Sequence, residues 1–260
     1  MENNYKYIYG PVPSWRLGSS LGIDLLSREE KICSFDCTYC QLGRNNIRHT
    51  ARDIYVSTDE VVKEIESLPE AEIDYLTFSG RGEPTLAYNL GVSIRELKKI
   101  RPEKIAVITN SSLIGQDEVQ EDLFAADLII AKLDAATDEI LTKINRPADG
   151  IHLDYIISAL IDFKKRFRGK LALQVMFMAG NKDFAPDIAH IAETIGPDEV
   201  QINTPLRPCG EKPLPADEIQ FIKTLFNRRG LNSISVYETP KKSVISFSDK
   251  DTLRRRGKEA

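Results

Sequence analysis

The chain has 260 residues, 42% hydrophobic and 28% charged, with a formal net charge of −4. That is enough apolar material for one substantial α/β core, and the acidic balance argues against a general nucleic-acid binder while leaving room for a local basic face. The N-terminus lacks an apolar signal core and no apolar run approaches the ~20 residues that span a bilayer, so no membrane association and a cytoplasmic location are expected.

From the N-terminus, residues 1–20 are expected to pack on a core formed by 21–208, with 209–260 a C-terminal helix and tail of the same domain. The first strand is expected at 21–26. It leads into Lys31-Ile-Cys-Ser-Phe-Asp-Cys-Thr-Tyr-Cys-Gln-Leu-Gly43, where Cys33, Cys37 and Cys40 follow a C-x3-C-x2-C spacing with Tyr39 just before the last thiol. Three thiolates on one short loop suit an iron–sulfur cluster. In a [4Fe–4S] cube, three cysteines leave one iron open to a substrate or cofactor. A structural zinc site would need a fourth Cys or His at comparable spacing, and His49, His152 and His190 form no such pair with the loop. A disulfide framework suits short chains in oxidising compartments; four cysteines in 260 residues, three of them in one window of eight, do not make one.

Further along, Ser57-Thr-Asp-Glu60 reads as a capping box opening a helix whose core face is Val61, Val62, Ile65 and Leu68. A strand at 73–79 runs into Ser79-Gly-Arg-Gly-Glu-Pro84. There the glycines allow close backbone approach to a ligand, and Glu83 offers a carboxylate to an ammonium. The same pattern also makes a tight strand-to-helix turn, and Arg81 is either a salt-bridged surface residue or a substrate-facing cation. After a helix at 89–100 and a strand at 104–109 comes Thr109-Asn-Ser-Ser112. Its hydroxyl and amide groups suit a ribose diol or a carboxylate, and equally an N-cap.

A helix at 117–125 and a strand at 127–133 lead to Ala131-Lys-Leu-Asp-Ala135. Lys132 and Asp134 share a strand face; either they pair, or Lys132 meets a cofactor carboxylate while Asp134 faces the substrate. Helices at 153–167 and 184–195 flank a strand at 171–178 that carries Gln174 and Met176 on one face. A strand at 199–204 puts Gln201 and Asn203 together, so Asn203 is a candidate for adenine or ribose if that face lines the interior. The proline-rich stretch 205–215 must be irregular. It holds Cys209, either an inert thiol or a reactive one at the mouth of the strands. A last helix near 216–229 and an extended run at 233–238 precede a basic end, 251–260, expected to be frayed: a solvated tail or a contact for phosphate.

Strand–helix alternation with continuous apolar strands means a parallel sheet covered by helices. Six such units fit an open (β/α)6 partial barrel or a flat doubly wound sheet, and in both the chemistry collects at the carboxyl ends of the strands.

The cysteine loop, the run Tyr9-Gly-Pro-Val-Pro-Ser-Trp-Arg-Leu-Gly-Ser-Ser-Leu-Gly-Ile-Asp-Leu-Leu26 ahead of it, Thr77-Phe-Ser-Gly-Arg-Gly-Glu-Pro-Thr-Leu86 and Val200-Gln-Ile-Asn-Thr-Pro-Leu-Arg-Pro208 resemble the radical S-adenosylmethionine superfamily. Within it they resemble a prokaryotic subgroup related to 4-demethylwyosine synthase of the tRNA wybutosine pathway. The resemblance spans about 8–208 and implies an open (β/α)6 partial barrel with a short C-terminal helix and extended tail. It implies a [4Fe–4S] cluster on Cys33, Cys37 and Cys40. It also implies S-adenosylmethionine, split reductively to a 5′-deoxyadenosyl radical that takes hydrogen from a substrate. By the same similarity Tyr39, Gly80, Arg81, Gly82, Glu83, Asn110, Ser112, Lys132 and Asn203 are cofactor contacts, with Glu83 on the methionine ammonium. The electron donor would be a protein such as flavodoxin or ferredoxin.

Two departures stand out. Arg81-Gly82 replaces the common double glycine, and the second-cluster cysteines of 4-demethylwyosine synthases are missing. The substrate is then a tRNA nucleoside, a small metabolite or a peptide. For tRNA, Arg16, Arg44, Arg48, Arg81 and the Arg254–Arg256 run are the cations available for one basic face. The reading from another class is a non-catalytic iron–sulfur protein for electron transfer or sensing; the Glu83 motif and the open-iron spacing argue against it.

Overall fold

A computed structural model describes residues 5–238 and 242–256. One sheet holds eight strands in chain order: β1 (Ile8–Ser14), β2 (Gly18–Ile23), β3 (Tyr75–Phe78), β4 (Lys104–Thr109), β5 (Leu128–Lys132), β6 (Lys170–Met176), β7 (Glu199–Asn203) and β8 (Ser233–Ser235). Only β1 and β2 are antiparallel; every later neighbour is parallel. The strands from β2 to β7 are the expected (β/α)6 core, and the sheet curls into an open half-barrel. Its helices are α1 (Thr58–Glu66), α2 (Leu90–Ile100), α3 (Asp117–Leu123), α4 (Asp138–Ile144), α5 (Leu153–Arg166), α6 (Ala185–Ile195), α7 (Ala216–Asn227) and α8 (Asp249–Arg256).

Alternation along the strands divides the core in two. Ile105, Val107, Ile129, Leu171, Leu173, Val200 and Ile202 are buried in the main cluster with the helices. Ala106, Leu128, Ile130 and Ala172, on the other face, form a small separate cluster with Leu17. Each fully buried Leu, Ile or Phe contributes roughly 1.5–3 kcal/mol, so the main cluster carries the fold. The smaller one closes one end of the barrel interior.

Local signals explain most boundaries. Ser57 caps α1 by accepting from the Glu60 N–H at 3.3 Å, and its hydroxyl donates back to the Glu60 carboxylate at 2.9 Å. The helix ends at Glu66, so Val61 and Ile65 are its buried face and Leu68 lies beyond it. The first parallel strand starts and stops three residues before the expected 21–26. The reason is Asp24, whose carboxylate accepts the Leu26 N–H at 3.1 Å and turns the chain out of the sheet.

Three elements differ from expectation. Strand β1 carries Pro11 and Pro13, which mask it in the sequence; it is tolerated because it is an edge strand with a bulge between Tyr9 and Val12. Helix α4 was not expected at all, although Thr137 caps it by accepting from the Ile140 N–H. The basic end is not a frayed tail: 249–256 is helical, α8 packs on β1, and Arg255 is 1% exposed. Residues 257–260 and the side chains of Arg254 and Arg256 lie outside the described residues. The strap leading into α8 satisfies the β1 edge, with Phe247 N–H donating to the Gly10 carbonyl at 2.8 Å and the Thr252 hydroxyl accepting from the Gly10 N–H at 3.1 Å. No helix among the described residues is long and apolar enough to cross a membrane.

Candidate active site

The loop between β2 and α1 brings Cys33, Cys37 and Cys40 to the carboxyl ends of the strands, all half-buried and none in a disulfide. Backbone bonds set the loop. Cys40 N–H donates to the Cys37 carbonyl at 3.0 Å, and Thr38 N–H to the Ile144 carbonyl at 2.8 Å, which ties the loop to the end of α4. Asn45 ties its other end, donating to the Cys33 and Phe35 carbonyls.

The glycine turn after β3 is welded to this loop. Ile32 and Gly82 form a parallel bridge, and the Glu83 N–H donates to the Ile32 carbonyl at 2.8 Å. A Cβ at Gly82 would strike that carbonyl oxygen, which is why the second position of the turn is glycine. Gly80 has φ +141°, with Asp24 packed where its side chain would be.

Glu83 is 2% exposed and accepts four hydrogen bonds. Its Oε1 takes the Thr85 N–H at 3.1 Å, the Thr85 hydroxyl at 2.7 Å and the Thr109 hydroxyl at 2.6 Å. Among the described residues its Oε2 takes only the Asn110 N–H, at 2.6 Å, which leaves a lone pair free. Burial holds the carboxyl above the usual range even against these four donors. Burial likewise pushes the Cys33 thiol up, and the Cys37 thiol up to about 11, with Glu83 and Asp134 respectively adding to it.

Under the loop lies a polar hub, of which only the Lys132–Asp134 pairing was among the readings of the sequence. Asp134, 2% exposed, accepts from the Tyr39 hydroxyl, from Asn145 Nδ2 at 2.8 Å and from the Met176 N–H at 2.8 Å, and pairs with Lys132 at 3.0 Å. Asn145 also reaches Cys37 Sγ at 3.5 Å. Asn110 Nδ2 reaches Cys33 Sγ at 3.7 Å. Such N–H contacts to sulfur tune a cluster. Lys132 also sits over the Tyr39 ring at 5.2 Å.

A cavity of about 380 Å³ opens inside the barrel above the Leu17 cluster. Cys33, Cys37, Tyr39, Cys40, Gly80, Gly82, Glu83, Asn110, Lys132 and Asn203 line it together. Two expected contacts are not in its lining. The Arg81 guanidinium turns back to the Glu29 carbonyl, and Ser112 is buried behind the cysteine loop, 2.7 Å from the Ser34 hydroxyl. Asp134 does not face the cavity either; it pairs with Lys132. Gln174 and Met176 line the wall, whereas Gln201 turns to Glu199 at 2.9 Å. Cys209 lies outside the lining, its thiol donating to the Glu211 carbonyl at 3.4 Å.

The donor set fits an iron–sulfur cluster. Three soft sulfurs border one cavity, yet no three His, Cys, Asp or Glu side chains among the described residues converge on a single-ion site. Three thiols at one opening, two of them with an Asn N–H nearby, have the chemistry of a cluster ligand set. Asn145 Oδ1 is also buried without a hydrogen-bond partner among the described residues.

Comparison with known proteins agrees. Residues 31–195 match the profile of the Radical SAM superfamily. The chain is 39% identical to UPF0026 protein slr1464 of Synechocystis sp., covering 82% of this chain and 80% of that one. It is 38% identical to UPF0026 protein MJ1312 of Methanocaldococcus jannaschii, over 82% and 68%. It also matches a protein named GTPase Obg in Brachyspira hyodysenteriae at 38% identity, but spans only 33% of that chain. In fold it is similar to a radical SAM methyltransferase from Sphaerobacter thermophilus (TM-score 0.62, 15% identity, 83% of this chain and 65% of that one). It is also similar to archaeal TYW1 (0.56, 13%, 81% and 72%). Three sulfurs and a glycine-rich carboxylate turn on one half-barrel cavity, with matches over most of the length, lead to one assignment: the chain belongs to the radical SAM superfamily, among the UPF0026 proteins.

Proposed function

We propose that this chain cleaves S-adenosylmethionine reductively and directs the resulting radical at a hydrogen atom of a substrate seated in the barrel. The observation that carries this is the shared cavity lining of the three cysteines and Glu83. When bound, a [4Fe–4S] cluster and S-adenosylmethionine supply the one-electron cleavage that yields a 5′-deoxyadenosyl radical.

The protein's own contributions are specific. Cys33, Cys37 and Cys40 supply three thiolates and leave one iron without a protein ligand. Glu83 Oε2 has the free lone pair for the cofactor ammonium, and the other four donors hold the carboxylate in place. Gly80 and Gly82 offer backbone groups at the cavity wall, and Lys132 and Asn203 offer polar groups across it. Leu17 with Ala106, Leu128, Ile130 and Ala172 closes the far end against water. Flavodoxin or ferredoxin in the cytoplasm would supply the electron. A tRNA nucleoside loses support here, because Arg16 lines the cavity and Arg255 is buried, so neither belongs to an outer basic face.

Anaerobic reconstitution tests the reading. The parent protein should hold one cluster and release 5′-deoxyadenosine when reduced with S-adenosylmethionine. Cys33→Ala, Cys37→Ala and Cys40→Ala should each lose that activity, whereas Cys209→Ala should retain its iron. Full cluster content and activity in all three of the first set would sink the proposal.

A further inference from the structure

The glycine turn after β3 is held from behind by a carboxylate that does not reach the cavity. Asp24, the first residue after β2, is 1% exposed. Its Oδ1 accepts the Leu26 N–H at 3.1 Å and the Arg81 N–H at 3.3 Å. The first bond is the local turn that aspartate makes with the backbone two residues on. The second crosses to the end of a neighbouring strand. Asp24 also fills the space beside Gly80, where an added Cβ would strike its side chain. Gly80, Gly82 and Glu83 line the cavity, whereas Asp24 and Arg81 do not.

The turn is gripped along its length. The Arg81 N–H goes to Asp24, and the Arg81 carbonyl accepts the Ile32 N–H of the cysteine loop at 3.2 Å. The peptide units on both sides of Arg81 are thereby fixed, and its guanidinium is sent out to the Glu29 carbonyl. That is how an arginine fits where the common pattern has glycine. At the start of the turn the Ser79 N–H donates to the Ile23 carbonyl at 3.0 Å, and the Ser79 hydroxyl lies 2.6 Å from that of Tyr9. Arg255 stands behind both holders. Its Nε is 3.2 Å from Asp24 Oδ2, and its guanidinium lies over the Tyr9 ring at 5.9 Å. With Oδ2 occupied by the cation, Oδ1 is the oxygen that faces the turn.

We infer that Asp24 is a positioning residue for the cofactor: through the Arg81 N–H and the contact with Gly80 it presets the turn that carries Glu83. This rests on the cofactor reading above. Glycine-rich segments lose the most conformational freedom when they are ordered, and a turn ordered in advance spares the ligand that cost. The rival is that Asp24 serves only its ion pair with Arg255, as a clasp for the fold.

The test separates the two with double variants that both lack the ion pair. Asp24→Asn/Arg255→Met and Asp24→Leu/Arg255→Met have side chains of nearly the same shape, but only the carboxamide keeps an acceptor for the Arg81 N–H. Calorimetry on the anaerobic, cluster-loaded proteins measures S-adenosylmethionine binding, and iron analysis measures cluster content. The Asn pair should bind within about threefold of the parent, and the Leu pair about tenfold more weakly than the Asn pair at equal iron, as loss of one hydrogen bond does. If the Leu pair does not fold, Asp24→Ser/Arg255→Met takes its place: the hydroxyl still serves the Leu26 N–H but is too short for Arg81. Equal affinity with and without the acceptor overturns the inference. Binding as weak in the Asn pair as in the Leu pair also overturns it, because the clasp and not the acceptor would then matter. So does a loss of iron that accounts for the lost binding, since Asp24 would then support the cluster loop. A failed cofactor reading shows separately, as a parent protein that holds no cluster or binds no S-adenosylmethionine.

Discussion

Glu83 illustrates how one side chain holds both fold and chemistry. Its two oxygens gather donors from Thr85, Thr109 and Asn110, on two different turns. Glu83→Gln replaces an acceptor oxygen with an NH2 group facing a donor. It should lower stability by roughly 1–3 kcal/mol, the cost of a buried hydrogen-bonding group left unmatched. Urea unfolding of the anaerobic protein measures this, and calorimetry should show S-adenosylmethionine binding at least about tenfold weaker. An unaltered isotherm would remove Glu83 from the cofactor site. The cysteines and the glycine turn were legible in sequence because each is a short run of unusual residues with its own spacing. The Lys132–Asp134 pair was legible as one reading of their shared strand face; the other partners of Asp134, and the roles of Asn145 and Asp24, were not. Each acts through partners that only the fold brings together: Asp134 with Tyr39 across 95 positions, and Asn145 with Cys37 across 108. Arg16 was legible as a cation, but its place inside the barrel depends on a hairpin whose first strand the prolines conceal.

Among the elements, the parallel strands and most helices were readable because their apolar periodicity is local. β1 and α8 were not, because prolines mask β1 and the contacts that hold α8 come from residues more than 200 positions away. The key contact of α8 is the ion pair between Arg255 Nε and Oδ2 of Asp24, just past β2, 3.2 Å apart, with side chains 0% and 1% exposed. Arg255 also donates to the Lys6 carbonyl and to the Ser27 hydroxyl. Arg255→Met leaves Asp24 buried without its cation and should cost about 3–5 kcal/mol. Asp24→Asn in the same chain removes the uncompensated charge and should recover more than half of that loss. A double-mutant cycle by equilibrium unfolding checks it; strictly additive losses would show that the two side chains do not depend on each other.

At the scale of the whole molecule, the half-barrel has two edges. β8 is one; β1, the other, is covered by the last described stretch of the chain. The Asp24–Arg255 pair joins positions 231 residues apart. A contact of that span forms only after a large loop has closed, and loop closure must precede any gain from it. It is therefore expected to be absent from the folding transition state. Stability changes at such positions fall on the unfolding rate. In stopped-flow experiments Arg255→Met should leave the refolding limb of the chevron nearly unchanged and speed unfolding by most of its equilibrium cost. A proportionate drop in refolding rate would place the clasp in the folding nucleus instead. The strap that hides the sheet edge thus sets how long the closed barrel lasts once formed, and has little influence on how quickly it forms.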